Sequence, residues 1–361
     1  MSDVSAVAPP PEAGRWREPP EPRAVLRAAG VARSEALNAA HLHDLSRSHA
    51  LTLVQLPDGS AYVVKRVSRD AHDAGRSLAA ELFAYRVASW RADFAAVLPT
   101  AVHVDERRQV LALVAAPPEQ LFYAQYLSPG FPGRELGAAL GRALATVHTA
   151  TTGIPLLTVA ACGVVALPDT PEEHRRIGGE SEAARTVANA VIADAELAEA
   201  LRRTAAALVP ACLIHADVKW DNVVMDPGPP ARVLLFDWEL SGRGDPAWDL
   251  GSAVADSVSL TARLSGASAL DSDPVQWLDP TLTALLAAYG DACELAGSSA
   301  FAERVTGCWV ARSVHLALEC AASLEDPDHA AVREVLEVAR RLASRHEAVA
   351  TAVRRALGAR A

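Results

Sequence analysis

The pattern of apolar residues changes character once along the chain, and that change limits the folds open to it. In the first third, apolar residues come in short blocks bounded by turn chemistry. Leu51-Thr-Leu-Val-Gln-Leu56 and Ala61-Tyr-Val-Val-Lys-Arg-Val67 have strand composition. Pro57-Asp58-Gly59-Ser60 between them is a turn, because Pro presets φ and Gly accepts positive φ, so the pair predicts a hairpin. Residues 74–89 carry Leu78, Leu82 and Tyr85 on one helical face, and Val110-Leu-Ala-Leu-Val114 is a further strand ended by Pro117-Pro118. Beyond that point helical spacing dominates. Leu136, Leu140, Leu144 and Val147 define a helix over 135–149. Thr170-Pro171-Glu172-Glu173 resembles a capping box opening a helical stretch over 171–208, and helices return from about 277 to the end.

This organisation predicts an α+β protein with two lobes: a small β-rich lobe over 24–116 and a larger α-rich lobe over 117–361. Residues 1–23 hold Pro9, Pro10, Pro11, Pro19, Pro20 and Pro22 with little apolar periodicity, which predicts a disordered or extended arm. The chain has 361 residues, enough for two lobes with cores of their own.

Charge and cysteine usage exclude several functions. A net charge of −10 gives no support to nucleic-acid binding. No apolar run approaches the ~20 residues of a membrane span, and the N-terminus lacks a charged-then-apolar signal design, which predicts a cytoplasmic protein. Cys162, Cys212, Cys293, Cys308 and Cys320 are widely spaced with no CxxC pair, so neither a disulfide framework nor a zinc site is indicated.

Of 34 basic residues only Lys65 and Lys219 are lysines. Where arginine serves almost everywhere else, a retained lysine marks a position that needs a compact, strongly hydrated point charge.

Residues 211–250 carry the chemistry. The apolar run Cys212-Leu-Ile214 leads into His215-Ala-Asp217-Val-Lys219-Trp-Asp-Asn222. Val223-Val-Met225 follows, Gly228-Pro229-Pro230 turns the chain, and Arg232–Phe236 is a strand ending at Asp237-Trp238-Glu239. A polar loop, a hairpin and an acid at a strand end suit a metal–phosphate site. Magnesium takes oxygen ligands and usually only one or two protein carboxylates beside substrate phosphates, a set that Asn222 and Asp237 can supply. Asp217 is then left to orient or deprotonate an attacking hydroxyl. Glu239 faces the metal or is solvated; the residues leave both open.

The HxDxxxxN pattern from His215 to Asn222 with the later Asp237 resembles the catalytic and metal loops of aminoglycoside phosphotransferases, choline kinases and protein kinases. Gly244-Asp245-Pro-Ala-Trp-Asp249-Leu250 is similar to a Gly-Asp-Pro-x-x-Asp-Leu segment of the aminoglycoside phosphotransferase branch. The resemblance covers about residues 40–340. It implies a bilobal kinase-like fold, ATP (with GTP not distinguished) and Mg2+ as cofactors, and transfer of a phosphoryl group to a hydroxyl. It places Lys65, within Val63-Val64-Lys65, on the nucleotide phosphates, with Glu81 on the next helix as its ion-pair partner and Val63 and Val114 beside the nucleotide. It gives Lys219 a place near the transferring phosphate and His215, Asp245 and Asp249 structural roles.

Two departures from the pattern stand out. Residues 41–56 contain no glycine, so Ser46-Arg47-Ser48-His49 takes the place of a glycine-rich phosphate cover or is a plain turn. Only residues 238–248 separate Asp237 from Asp249, which leaves no room for a long regulatory and peptide-docking segment. Acceptor selectivity falls to residues 155–208 and 255–340.

The resemblance leaves three readings of the acceptor open. One is an antibiotic-like small molecule, although Lys219 beside the acceptor opposes a polycation. Another is Ser/Thr of a precursor peptide, as in actinobacterial phosphotransferase-like proteins encoded with class V lanthipeptide-like ribosomal natural products; Lys219 and the arginine-rich composition point this way. The third is a pseudokinase or scaffold subunit. Whether a partner protein completes the acceptor site is open at this level.

Overall fold

A computed structural model describes residues 20–46, 50–67, 74–121, 132–154, 181–226, 231–265 and 272–358. The chain divides into two compact units, Met1–Leu78 with Ala101–Val114, and Ala79–Thr100 with Ala115–Ala361.

The first unit is built on an antiparallel sheet in the order β1-β2-β3-β5-β4: β1 (His41–Asp44), β2 (Ala50–Gln55), β3 (Ala61–Arg66), β4 (Ala101–Asp105) and β5 (Val110–Val114). The β2–β3 hairpin pairs Leu51 with Lys65 and Gln55 with Ala61 around the Pro57–Ser60 turn. Gly59 there sits at φ 88°, where a side chain would be strained. Val54, Val64, Val110 and Ala112 form one apolar cluster with Val25, Leu26 and Leu37 from α1 (Pro22–Ala28) and α2 (Ser34–Asn38). The edge strands β1 and β4 carry no strong strand signal. His-Leu-His-Asp in β1 is mostly exposed, and pairing with β2 makes it a strand.

The Pro-rich arm ends earlier than the residue pattern implies. Pro22 and Arg23 are helical: Pro22 takes the first turn of α1, where its fixed φ is favourable. The Glu21 side chain accepts from Ala24 N, and Arg23 donates from Nε to Leu37 O (2.8 Å) and from Nη2 to Ala40 O (3.0 Å). Residues 1–19 lie outside the described part.

The second unit is mostly helical. Helix α3 (Ala74–Ala88) starts in the first unit and continues here, followed by the short α4 (Ala92–Ala95). The pattern places the lobe limit near residue 116, but residues 79–100 group with this unit. Phe94 meets the Trp238 ring edge-on at 5.1 Å, and Leu235 N donates to Val97 O at 2.9 Å. Helix α5 (Gly133–Thr151) buries Leu136, Leu140, Leu144 and Val147, as its spacing predicts. Then come α6 (Glu182–Ala193) and α7 (Ala195–Ala207), whose N-caps Ser181 and Asp194 accept from Ala184 N and Leu197 N. The capping box near 170 lies outside the described residues.

Two strand pairings set the site. The short β6 (Cys212–Ile214) pairs with β9 (Gly242–Gly244), and β7 (Val223–Asp226) pairs with β8 (Arg232–Leu235). Helix α8 (Pro246–Ser265) follows at once. It is not foreseen by periodicity, because nearly every residue of its first three turns is buried and no polar stripe shows. Next are α9 (Pro280–Ala292), the 26-residue α10 (Ser299–Leu324), α11 (Ala330–Ser344) and α12 (His346–Ala356). Helix α5 lies against α9 at Gly137 and Gly141, where any Cβ would strike the Thr281 and Leu285 carbonyls. Helix α10 is buried along Val305–Leu318 and packs on α8 and α11. No helix among the described residues is long and apolar enough to cross a membrane.

Candidate active site

The loop after β6 turns sharply at Ala216, which takes φ 71°, a conformation unfavourable for a side-chain-bearing residue. Three hydrogen bonds hold it there. Asp249 on α8 accepts from His215 N and Ala216 N, each at 2.8 Å, and Trp248 Nε1 donates to Ala216 O at 2.9 Å. Asp249 in turn accepts from His148 of α5, whose other ring nitrogen bonds Tyr289 OH, each at 3.0 Å. A strained backbone persists when its surroundings over-determine it, and here two neighbouring residues at the start of α8 do so. Asp245 does similar work one turn earlier. It accepts from Val209 N (2.7 Å) and Ala247 N (2.9 Å) and pairs with Arg304 (2.7 Å).

The β7–β8 register pairs Val223 with Leu235, so Asn222 stands opposite Phe236 and Asp237 follows directly. Phe236 N donates to Asn222 O at 2.8 Å, and Phe236 O contacts His215 Nε2 at 2.7 Å. Asp217 N also donates to His215 Nδ1 at 3.3 Å. A carbonyl only accepts and an amide N–H only donates, so the Nε2-protonated imidazole satisfies both contacts. His215 thereby ties the Asp217 loop to the strand end that carries Asp237. Asp237 itself takes φ 65° and ψ 64°, a left-handed residue that aspartate tolerates better than most.

Asp217 is buried, with its side chain 11% exposed, and three side chains hold it. Lys219 Nζ lies 2.6 Å from Oδ2, Asn222 Nδ2 donates to Oδ2 at 3.2 Å and to Asp217 O at 3.0 Å, and Arg312 Nη2 lies 3.3 Å from Oδ1. Burial by itself pushes the Asp217 carboxyl upward, but the Arg312 and Lys219 charges outweigh it, and it titrates below the usual carboxylate range. Lys219 is desolvated, which lowers it, yet Asp217 raises it more and Asp237 adds to that, so it is held as the ammonium. The Asn222 amide nitrogen is engaged with Asp217, which turns Oδ1 away as an acceptor. Asn222 Oδ1 and the Asp237 carboxylate are hard oxygen donors of the kind magnesium takes. Among the described residues no group of three or more His, Cys, Asp or Glu is arranged to hold a metal ion.

Arg312 is the participant that motif reasoning misses. It lies 95 residues from Asp217, on α10, and its chain position carries no motif. A signal exists nonetheless: it is the one Arg, Lys, Asp or Glu in the run Val305–Leu318, whose other polar side chains are Thr306, Ser313 and His315, and a buried charge demands a partner.

The remaining sequence-derived residues sit as follows. Lys65 is buried on β3, opposite Leu51 and Leu111. Val63 is half-buried and faces Leu53 and Leu113, and Val114 is exposed at the end of β5. Glu81 is fully buried on α3. Ser46 lies just past β1: its N–H donates to Asp44 Oδ1 (2.9 Å) and its hydroxyl accepts from Leu51 N of β2 (3.0 Å). Ser48 lies outside the described residues. Residues 238–248 are filled by a turn of 3₁₀ helix, β9 and the start of α8.

The comparisons agree with this architecture. The model of the Phosphotransferase enzyme family (APH) matches residues 40–292. No curated protein sequence matches the chain. Among solved structures, an ethanolamine kinase from Plasmodium vivax superposes with a TM-score of 0.56 at 9% identity, covering 87% of this chain and 84% of its own. An amicoumacin kinase, in complex with AMP-PNP, Ca2+ and Ami, gives 0.55 at 15%, covering 91% and 93%. Choline kinase LicA from Streptococcus pneumoniae gives 0.52 at 14%, covering 88% and 99%. These likenesses establish the kinase-like α+β fold, and with the family match over most of its length they show that the chain belongs to the Phosphotransferase enzyme family.

Proposed function

We propose that this protein transfers the γ-phosphoryl group of ATP to a hydroxyl, with Asp217 orienting the acceptor. The observation that carries the reading is the set of bonds on Asp217. A carboxylate offers about four lone-pair directions. Lys219 and Asn222 take those of Oδ2 and Arg312 takes one on Oδ1. The direction left on Oδ1 suits an incoming O–H. In the transfer, the acceptor oxygen bonds the γ-phosphorus, the bond to the β–γ bridging oxygen breaks to release ADP, and the hydroxyl proton passes to Asp217. A carboxylate held below its usual range is a weak base, which suits a loose transition state in which positioning and charge stabilisation dominate. Lys219 supplies positive charge beside that path, and Lys65 is proposed to contact the nucleotide phosphates. Asn222 and Asp237 would hold magnesium, which neutralises phosphate charge when bound.

Two cations on the acceptor-orienting residue disfavour a polycationic acceptor. We therefore take the acceptor to be a Ser or Thr side chain of a peptide, in the setting of natural-product biosynthesis. The names of the similar structures support a competing reading, in which the acceptor is a small amino alcohol or an antibiotic. A transfer assay with labelled ATP against Ser/Thr peptides, amino alcohols and aminoglycosides, read by product mass, separates them. Peptide phosphorylation that Asp217→Asn abolishes is the expected result. Transfer confined to the small amines overturns the peptide acceptor. Magnesium-dependent ATP binding with no transfer to any acceptor overturns the enzymatic reading in favour of a pseudokinase.

A further inference from the structure

We propose that Arg312 is a positioning residue for phosphoryl transfer: from helix α10 it fixes the rotation of the Asp217 carboxylate so that one lone pair of Oδ1 stays aimed at the acceptor hydroxyl. The inference rests on the role of Asp217 given above.

The residue is out of place for a packing role. Its side chain is 3% exposed, and its neighbours Trp309, Val310, Ala311, Ser313 and Val314 on α10 are all buried. Desolvating a guanidinium is costly, and an apolar side chain of similar volume would fill the same space without that cost. What Arg312 adds is a two-ended hold. Nη2 meets Asp217 Oδ1 at 3.3 Å, and Nη1 meets Glu319 Oε1 at 2.8 Å, two turns along the same helix and half-exposed. Because the guanidinium is planar and rigid, anchoring Nη1 on Glu319 fixes where Nη2 points. Asp256 of α8 completes the surroundings. Its charge acts on Arg312, and its carboxylate accepts from Trp220 N at 2.9 Å, in the same loop as Asp217.

Lys219 cannot do this alone. It is two residues from Asp217 on one loop, a third exposed, and it meets Oδ2, as Asn222 does. Two partners on one oxygen leave the carboxylate free to swing its other oxygen. Arg312 is the partner on that other oxygen, and it comes from a long helix with the rigidity of the core. A misplacement of about 1 Å at a reacting group is enough to lower a rate by ~100-fold.

The test uses the full-length chain, with water as the phosphoryl acceptor so that no acceptor need be known: magnesium-dependent ATP hydrolysis by wild type, Asp217→Asn, Arg312→Lys, Arg312→Met and Arg312→Ala. Arg312→Met and Arg312→Ala should lower kcat by ~100-fold while KM for ATP stays within about twofold. Added guanidinium at tens of millimolar should restore at least ~10-fold of the Arg312→Ala loss and do nothing for Asp217→Asn. Arg312→Lys keeps the buried cation and folding but loses the planar fork, and should still lose about tenfold in kcat. Wild-type kcat in Arg312→Lys or in Arg312→Met overturns the proposal. So does a kcat loss in Arg312→Ala that matches its loss of folded protein by circular dichroism and resists guanidinium. Full hydrolysis by Asp217→Asn would instead overturn the role of Asp217 on which the proposal rests.

Discussion

Acid should weaken this fold through one buried histidine, and the size of the effect follows from where that residue sits. His315 is 2% exposed on α10, edge-on to the Trp248 ring with centroids 5.7 Å apart, and its Nε2 has no hydrogen-bond partner among the described residues. Burial pushes its pKa down, and Arg312 one turn away pushes the same way, to about 3. In the unfolded chain it returns to about 6.5. Above that value neither state binds the proton and stability does not depend on it. Between about 6.5 and 3 only the unfolded chain binds it, so falling pH favours unfolding, by about 1.4 kcal/mol per pH unit once well below 6.5. From pH 7 to pH 5 the loss is about 2 kcal/mol. His315→Leu removes the titrating group and keeps an apolar contact for Trp248. Urea unfolding of both proteins at pH 7 and pH 5, followed by circular dichroism, should show the variant losing about 2 kcal/mol less than wild type over that interval. The other titrating groups act on both proteins alike and cancel in the difference. Equal losses in the two proteins would refute the reasoning.

Other perturbations test other parts of the structure. Gly141→Ala places a methyl group against the Leu285 carbonyl across the α5–α9 contact and should cost about 2–3 kcal/mol, seen as a lower urea midpoint. Asp249→Ala strips the His215 and Ala216 amides of their acceptor and frees the left-handed turn; about 3 kcal/mol of stability should go, with hydrolysis falling in the protein that remains folded. On the proposed contact of Lys65 with the nucleotide phosphates, Lys65→Arg should lower kcat at least ~10-fold despite its unchanged charge, because a planar fork does not reproduce a compact point charge. Chelating divalent metal should abolish turnover, and added Mg2+ should restore it.

Much of the scaffold is legible in the residue pattern for local reasons. The β2–β3 hairpin follows from Pro57-Asp-Gly-Ser60 and its flanking strands, and α5 from its apolar stripe. Signals fade where an element is surrounded or unsupported. Helix α8 is buried on every side, so no stripe marks it. Strand β1 gains its form only from a neighbour. The grouping of residues 79–100 with the second unit has a related cause: it rests on contacts such as Phe94 with Trp238, which no local pattern announces.

The candidate site divides along the same line. His215, Asp217, Lys219, Asn222 and Asp237 lie within 23 residues, and the spacing of a loop and a hairpin already brings them together, so the sequence by itself determined their company and the class of chemistry they suit. Lys219, one of only two lysines among 34 basic residues, belongs to that local message. Arg312 does not. One arginine among 32 is invisible as composition, and its meeting with Asp217 exists only because α10 packs against α8. Local spacing specifies which groups share a loop; only tertiary packing decides which distant charge is buried beside them, because the desolvation that makes such a charge matter is created by the fold itself.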